Sequence, residues 1–271
     1  MCIRDRFGGV LEVKILDEGQ HSGGAGGIVP SSFRILREVL GRVEDATTGE
    51  LRACLSVAVP ESVVSAAEQV ARVLGNDLVN KFPWVPGAHP GHDNVADLII
   101  SNTWQPSLAT VGLAGTPPLD SAGNTLRPST SAKLVFRTPP SLDAADAAQQ
   151  VKRLLEQNPP YGAHVSFALG EPQSGWYARE EAAWLAQALN QASQNHFGRP
   201  LMHTGCGGTI PFMKMLGDAY PDTEFFVTGV LGPKSNAHGP NEFLHIEAAQ
   251  KVTACVVDVL TAAAAEFAAA G

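Results

Sequence analysis

"AKLVFRTPPSLDAADAAQQVKRLLEQNPPYGAHVSFAL", residues 132–169, carries a strand, a helix and a second strand in one stretch. Leu134 and Phe136 alternate with Lys133 and Arg137, the period-2 signature of a strand with one apolar face. Beyond the Pro-Pro turn, residues 141–157 predict a helix capped by Ser141, with Ala148, Val151, Leu154 and Leu155 on its apolar side. Alternation then resumes, with Val165, Phe167 and Leu169 set against His164 and Ser166.

Upstream, "VLEVKIL" alternates Leu11, Val13 and Ile15 with Glu12 and Lys14 and predicts a strand. "PSSFRILREVLGRVED" follows, with Ser32 as N-cap and Ile35, Leu36, Val39, Leu40 and Val43 on one helical face. "ADLIIS", residues 96–101, predicts a further strand. The order is then β-α-β-β-α-β, a ferredoxin-like arrangement: an antiparallel sheet with both helices on one face and the other face wet or met by a partner. Residues 46–95, including the helical "ESVVSAAEQVARVL", are an insertion between the first helix and the second strand. "MCIRDR", residues 1–6, resembles the translation of a sequencing-library transposon end and is set aside, so the natural chain is expected to begin further upstream.

From about residue 172 the pattern changes. A helix through Trp184, Leu185, Ala188 and Leu189 stops at "FGRP"; "GGTIPFMKML", a short strand "EFFVT" and the closing helix "IEAAQKVTACVVDVL" follow. This is one edge of an α/β sheet, too small to be a domain alone. The fold class is therefore α/β, with an α+β first part at 7–171 and an α/β tail at 172–271.

The chain has 271 residues, 44% of them apolar and 17% charged, enough for one large domain or two ordinary ones. Its net charge of −8 is spread without long runs of one sign, which makes nucleic acid and anionic membranes poor partners. Cys2, Cys54, Cys206 and Cys255 form no CxxC pair, which speaks against a zinc ribbon or a disulfide scaffold and for a reducing cytoplasm. No apolar span of membrane length and no charged-then-apolar leader occurs in the sequence.

Three stretches carry chemistry. Gly207 and Gly208 precede Thr209, a good N-cap, and Pro211; this is either a carboxylate-binding helix start or an ordinary tight turn. His21 follows the first strand among small residues and, alone, reads as structural. His238, in "PKSNAHGPNEFLH" between Asn236 and Glu242, lacks any nearby HExxH and, alone, reads as a hydrogen-bonded loop histidine. "HPGHDN" (His89, His92, Asp93) lies in the insertion and reads as a solvated loop.

Taken in order, "HSGGAGGIVPSSFRILREVLGRVED", "ISNTWQPSLATVG", "LRPSTSAKLVFRTPP", "GGTIPFM" and "VTGVLGPKSNAHGPNEFLHI" resemble the lid and C-terminal parts of a family. It is the co-catalytic zinc peptidases, which include carnosinase, glutamate carboxypeptidase and succinyl-diaminopimelate desuccinylase. The resemblance implies a ferredoxin-like lid that dimerises and interrupts an α/β catalytic domain. It implies that His238 is the last ligand of a centre of two Zn²⁺ in the full-length enzyme, with Mn²⁺ or Co²⁺ as alternatives, sharing a bridging water, while this chain alone is expected to hold none. The remaining ligands that the resemblance implies, a His-x-Asp, a bridging Asp, a Glu-Glu pair and a further acid, are not matched within these stretches. His21 matches a lid histidine that supplies an oxyanion donor from the other subunit. Arg127 and Asn102 match lid positions that hold the substrate's carboxylate and backbone, and Gly207, Gly208 and Thr209 complete that pocket. Cys206 departs from the family, whose members often have an acid there.

The expected substrate is a small peptide or N-acyl amino acid with a free carboxylate, and the expected assembly is a homodimer. The chain itself reads as a fragment without activity of a zinc-dependent dipeptidase or exopeptidase. The alternatives are an N-deacylase or desuccinylase of the same family, or a non-catalytic dimerisation module.

Overall fold

The computed structural model describes residues 2–173, 175–208 and 210–270. The chain divides into two compact units: Met1–Val63, Ile99–Tyr177 and Gly205–Leu216 form the first, and Val64–Leu98, Ala178–Thr204 and Gly217–Gly271 the second.

In chain order the strands and helices begin with β1 (Cys2–Ile3), β2 (Asp5–Lys14), β3 (Gln20–His21), α1 (Ser22–Ala25) and α2 (Ser32–Leu40). Helices α3 (Glu61–Leu74), α4 (Asp77–Asn80) and α5 (Val95–Thr103) lead to β4 (Ser107–Ala114), β5 (Thr125–Leu126) and β6 (Ser129–Thr138). Then come α6 (Ala144–Glu156), β7 (His164–Leu169), β8 (Trp176–Tyr177), α7 (Ala183–Phe197), α8 (Pro211–Ala219) and α9 (Ile246–Ala270).

The first unit is built on a four-stranded antiparallel sheet in the order β4-β6-β2-β7. Numbered along the chain this is the 4-1-3-2 order of a ferredoxin-like sheet, so the expected β-α-β-β-α-β architecture is present. One face of the sheet carries Phe7, Leu11, Val13, Leu134, Phe136 and Phe167, all fully buried with Ile35, Leu36 and Val39 of α2 and Ala147, Ala148, Val151 and Leu155 of α6. Phe7 stacks on Phe136 at 4.8 Å between ring centroids, and Phe167 meets Phe136 edge-on. The opposite face shows Val10, Glu12 and Lys14 to solvent, the alternation expected of a sheet with one wet side.

Several expectations are corrected. "ADLIIS" is not a strand but part of α5: Ala96, Ile99, Ile100, Thr103 and Trp104 are buried at 3.6-residue spacing, and the Asn94 side chain accepts from the Ala96 N–H at the helix start. The second strand is β4, whose edge position and bulge between Thr110 and Gly112 leave Val111 and Leu113 exposed and erase any apolar alternation. The cap of α6 is Asp143, whose side chain accepts from the Ala145 and Asp146 N–H groups, and not Ser141. Ser31 precedes α2 as its cap residue, while Ser32 turns inward. Strand β2 starts before the expected "VLEVKIL", at Asp5, and Ile3 and Asp5 are fully buried, which concerns their packing and not the origin of residues 1–6.

In the second unit, α7 packs on α9 through Leu185, Leu189, Ala192, Cys255 and Val259. Gly198 ends α7 in the left-handed conformation. "EFFVT" forms no strand here, and its Glu224 instead binds Arg179 and accepts from the Ala182 N–H. Among the described residues no helix is long and apolar enough to cross a membrane.

Candidate active site

His21 and Arg127 arrive on one ribbon. Gln20 and His21 of β3 pair with Leu126 and Thr125 of β5, the Ser22 N–H donates to Asn124 O at 2.9 Å, and the Ile15 N–H to Pro128 O at 2.9 Å. Both side chains are exposed. Arg127 Nε donates to Gly115 O at 2.9 Å. Gly115 is left-handed (φ +81°), and a Cβ there would lie 2.4 Å from Ser129 O, so the turn that presents this carbonyl requires glycine. The Arg127 carbonyl accepts from Ser32 Oγ at 3.3 Å, and Ser32 Oγ lies 2.7 Å from Thr130 Oγ1, both hydroxyls being buried. Backbone and guanidinium of Arg127 are thus each tethered, while the Nη pair keeps the fork that suits a carboxylate.

Asn102 and the glycine turn also meet. A Cβ on Gly207 would lie 2.8 Å from Asn102 Oδ1 and 2.9 Å from Asn102 O, so the backbone can pass this close only without a side chain. Arg4 holds the other side: its Nη1 donates to Asn102 O at 2.8 Å and its Nη2 to Ser107 Oγ at 2.9 Å. Burial pushes the Arg4 guanidinium down to about 10, so it stays charged at neutral pH. Cys206 extends the same strand region, its N–H donating to Cys2 O at 2.7 Å and its carbonyl accepting from the Arg4 N–H at 3.2 Å. Gly208 follows and α8 begins at Pro211. Thr209 lies outside the described residues.

His238 belongs to the second unit. Its loop is closed by the His245 N–H donating to Leu231 O at 2.7 Å and pinned by buried Ser235, whose Oγ lies 2.6 Å from Leu231 O. His238 is exposed with φ +60°, and Lys234, Asn236 and Asn241 are left-handed too. Glu242 Oε2 accepts from the His238 N–H at 2.8 Å, and Asn236 Nδ2 donates to Pro240 O at 2.7 Å. The residues that flank His238 in sequence therefore fix its backbone.

These residues do not by themselves fit a two-zinc centre. Among the described residues no three His, Cys, Asp or Glu side chains converge, and a bridged pair of zinc ions needs more ligands than one imidazole. His89, His92 and Asp93 are exposed and form no such cluster, and His89 Nδ1 lies 3.0 Å from its neighbour's carbonyl, Pro90 O.

Local pattern could not reveal Arg4, Ser32, Thr130 or Gly115 as supports. Each acts across the sheet or a turn on a residue far away in sequence, and Ser32 carries the signature of a cap.

No family model matches the chain. A cysteinylglycine-S-conjugate dipeptidase of Corynebacterium striatum is 27% identical over 168 residues, 58% of this chain and 35% of that protein. Among solved structures, the di-peptidase Dug1p of Saccharomyces cerevisiae superposes with a TM-score of 0.73 at 19% identity, covering 95% of this chain and 55% of that one. Human carnosine dipeptidase 1 gives 0.70 at 19% identity (96% and 55% covered), and the M20 family metallo-carboxypeptidase Sso-CP2 of Sulfolobus solfataricus gives 0.71 at 15% (96% and 58% covered). The chain has the fold of the M20 metallopeptidases. It spans little more than half of each of these M20-fold neighbours and about a third of the corynebacterial relative.

Proposed function

We propose that this chain is the lid and C-terminal catalytic segment of an M20 dipeptidase or exopeptidase, one that hydrolyses the amide bond of a small substrate with a free carboxylate. The reading rests on one observation: Asn102 packs against Gly207, joining two segments that the sequence assigns to a single carboxylate pocket. Its chemistry follows from the residue types. The Arg127 fork, the Asn102 amide and the N–H groups of the Gly207–Gly208 turn bind the carboxylate and orient the peptide. His21 donates to the oxyanion that forms as the carbonyl is attacked, and does so from a second subunit. His238 is one ligand of a metal pair that would supply the activated water and polarise the carbonyl.

Residues 1–6 are foreign to the natural reading frame in this proposal, and the remaining metal ligands are encoded upstream. The 271-residue chain alone then has no peptidase activity. The test is to purify it, measure bound zinc by elemental analysis, and assay a dipeptide panel that includes a cysteinylglycine conjugate with added Zn²⁺, Mn²⁺ or Co²⁺. No turnover is expected. Stoichiometric zinc with chelator-sensitive hydrolysis would overturn the fragment reading; an upstream frame lacking His-x-Asp and Glu-Glu would overturn the peptidase reading.

A further inference from the structure

The segment Arg52–Cys54 and the last turns of α6 border an open hollow of about 390 Å³, lined by Arg52, Cys54, Gln150, Arg153, Leu154 and Gln157, with both arginines exposed. Two of the six are guanidinium groups and none is a carboxylate. In a chain of net charge −8 this is a local excess of positive charge.

The end of a helix is normally the wrong place for an anion, because its last carbonyls carry partial negative charge. Here that charge is already met. Arg42 Nη1 donates to Gln157 O and reaches Leu154 O and Leu155 O at 3.3 and 3.4 Å, while its Nη2 donates to Asn158 O at 2.9 Å. The acids nearby are engaged elsewhere. Asp45, whose carboxylate feels Arg52, accepts from the Thr47 and Thr48 N–H groups; Asp146 accepts from Gln150 Nε2 at 2.6 Å; Glu156 accepts from Lys152 and from the Phe167 N–H. Arg52 uses its Nε on Arg42 O at 2.7 Å, which fixes the plane of its guanidinium and leaves the Nη pair. Among the described residues Arg153 makes no ion pair.

We propose that this hollow is an oxyanion-binding site that takes a small molecule bearing at least two negative charges, gripped between Arg52 and Arg153. Two planar forks demand a multivalent partner, since a single monovalent ion would leave one guanidinium unmatched. Leu154 and the arginine stems give the carbon body of such a ligand an apolar wall. None of these residues belongs to the peptidase site proposed above.

The experiment titrates inorganic phosphate and, separately, citrate into the purified chain, read by calorimetry and thermal unfolding, against sodium chloride at matched ionic strength. Saturable binding on the order of 1 mM or tighter is expected, a strength within reach of a ligand of this size. Arg153→Gln and Arg52→Gln should each weaken it roughly tenfold, the loss of one charge-assisted contact. Arg127→Gln should leave it unchanged. Arg153→Lys, which keeps the charge and loses the fork, should fall between, and far-UV circular dichroism checks that each variant is folded. Binding of phosphate alone or of citrate alone supports the site and assigns the phosphate or carboxylate class. A shift equalled by sodium chloride, binding untouched by Arg153→Gln, or binding abolished by Arg127→Gln overturns it.

Discussion

Asp5 shows how one residue can be placed against its own chemistry. It is fully buried; the Arg6 N–H donates to its Oδ1, the Gly175 amide also acts on the carboxyl, and Oδ2 has no close hydrogen bond among the described residues. Thr138, its partner across the ladder, likewise has a buried hydroxyl that finds none. Burial pushes the Asp5 carboxyl up from 3.8 to about 6. A carboxyl whose pKa is raised in the folded state holds its proton more tightly there. Stability from this group is therefore present below about pH 4 and lost as pH rises through about 6. Replacing the carboxylate by an amide removes that loss. Asp5→Asn is expected to raise stability at pH 7 by about 2–3 kcal/mol, and by much less at pH 4. Urea unfolding of both proteins at pH 4, 5, 6 and 7 measures the difference; a gain independent of pH would show that the carboxyl is not the source. One residue earlier, Arg4 Nε is likewise buried without a hydrogen-bond partner among the described residues.

At the scale of the element, the helix starts and edge strands separate what is local from what is not. The cap of α6 is decided within four residues: Asp143 Oδ1 takes the Ala145 and Asp146 N–H groups at 2.9 and 3.0 Å. Asp143→Ala should cost about 1 kcal/mol, the usual worth of a cap, whereas exposed Ser141→Ala should stay within about 0.5 kcal/mol. Thermal unfolding of the two variants ranks them, and the reverse order would restore Ser141 as the cap. The exchange of α5 for a strand has a different cause. A six-residue apolar run such as "ADLIIS" fits a buried strand or a buried helix equally well, and only the extension to Trp104 shows the helical spacing. Strand β4 escapes for the opposite reason: it packs Leu108 on the core, leaves most of its other residues exposed, and breaks its period at the bulge between Thr110 and Gly112.

For the whole molecule, that same edge bears on assembly. Val111 is 58% and Leu113 54% exposed on a strand with an unpaired side, an arrangement that invites a second copy. Sedimentation at high micromolar concentration should show a species of twice 28.5 kDa, and Val111→Lys should shift it towards the monomer. A strict monomer would remove the dimer, and with it the route by which His21 serves a neighbouring site.

The sequence by itself determined the ferredoxin-like core of the lid: strand β2, helices α2 and α6, and strands β6 and β7 follow from apolar periods of 2 and 3.6, because each buries one face against the same layer. A family resemblance also named His21 and His238 and assigned Arg127, Asn102 and the Gly207–Gly208 turn to one pocket, without giving the contacts that hold them. The tertiary structure alone decided that Asn102 lies on Gly207, that a buried Ser32–Thr130 pair holds the Arg127 backbone, and that Gly115 receives its guanidinium. These contacts join residues as far as 105 positions apart, from Asn102 to Gly207. Periodicity reports which face of an element is buried, whereas contacts of that range depend on sheet register and turn geometry, which no local pattern encodes.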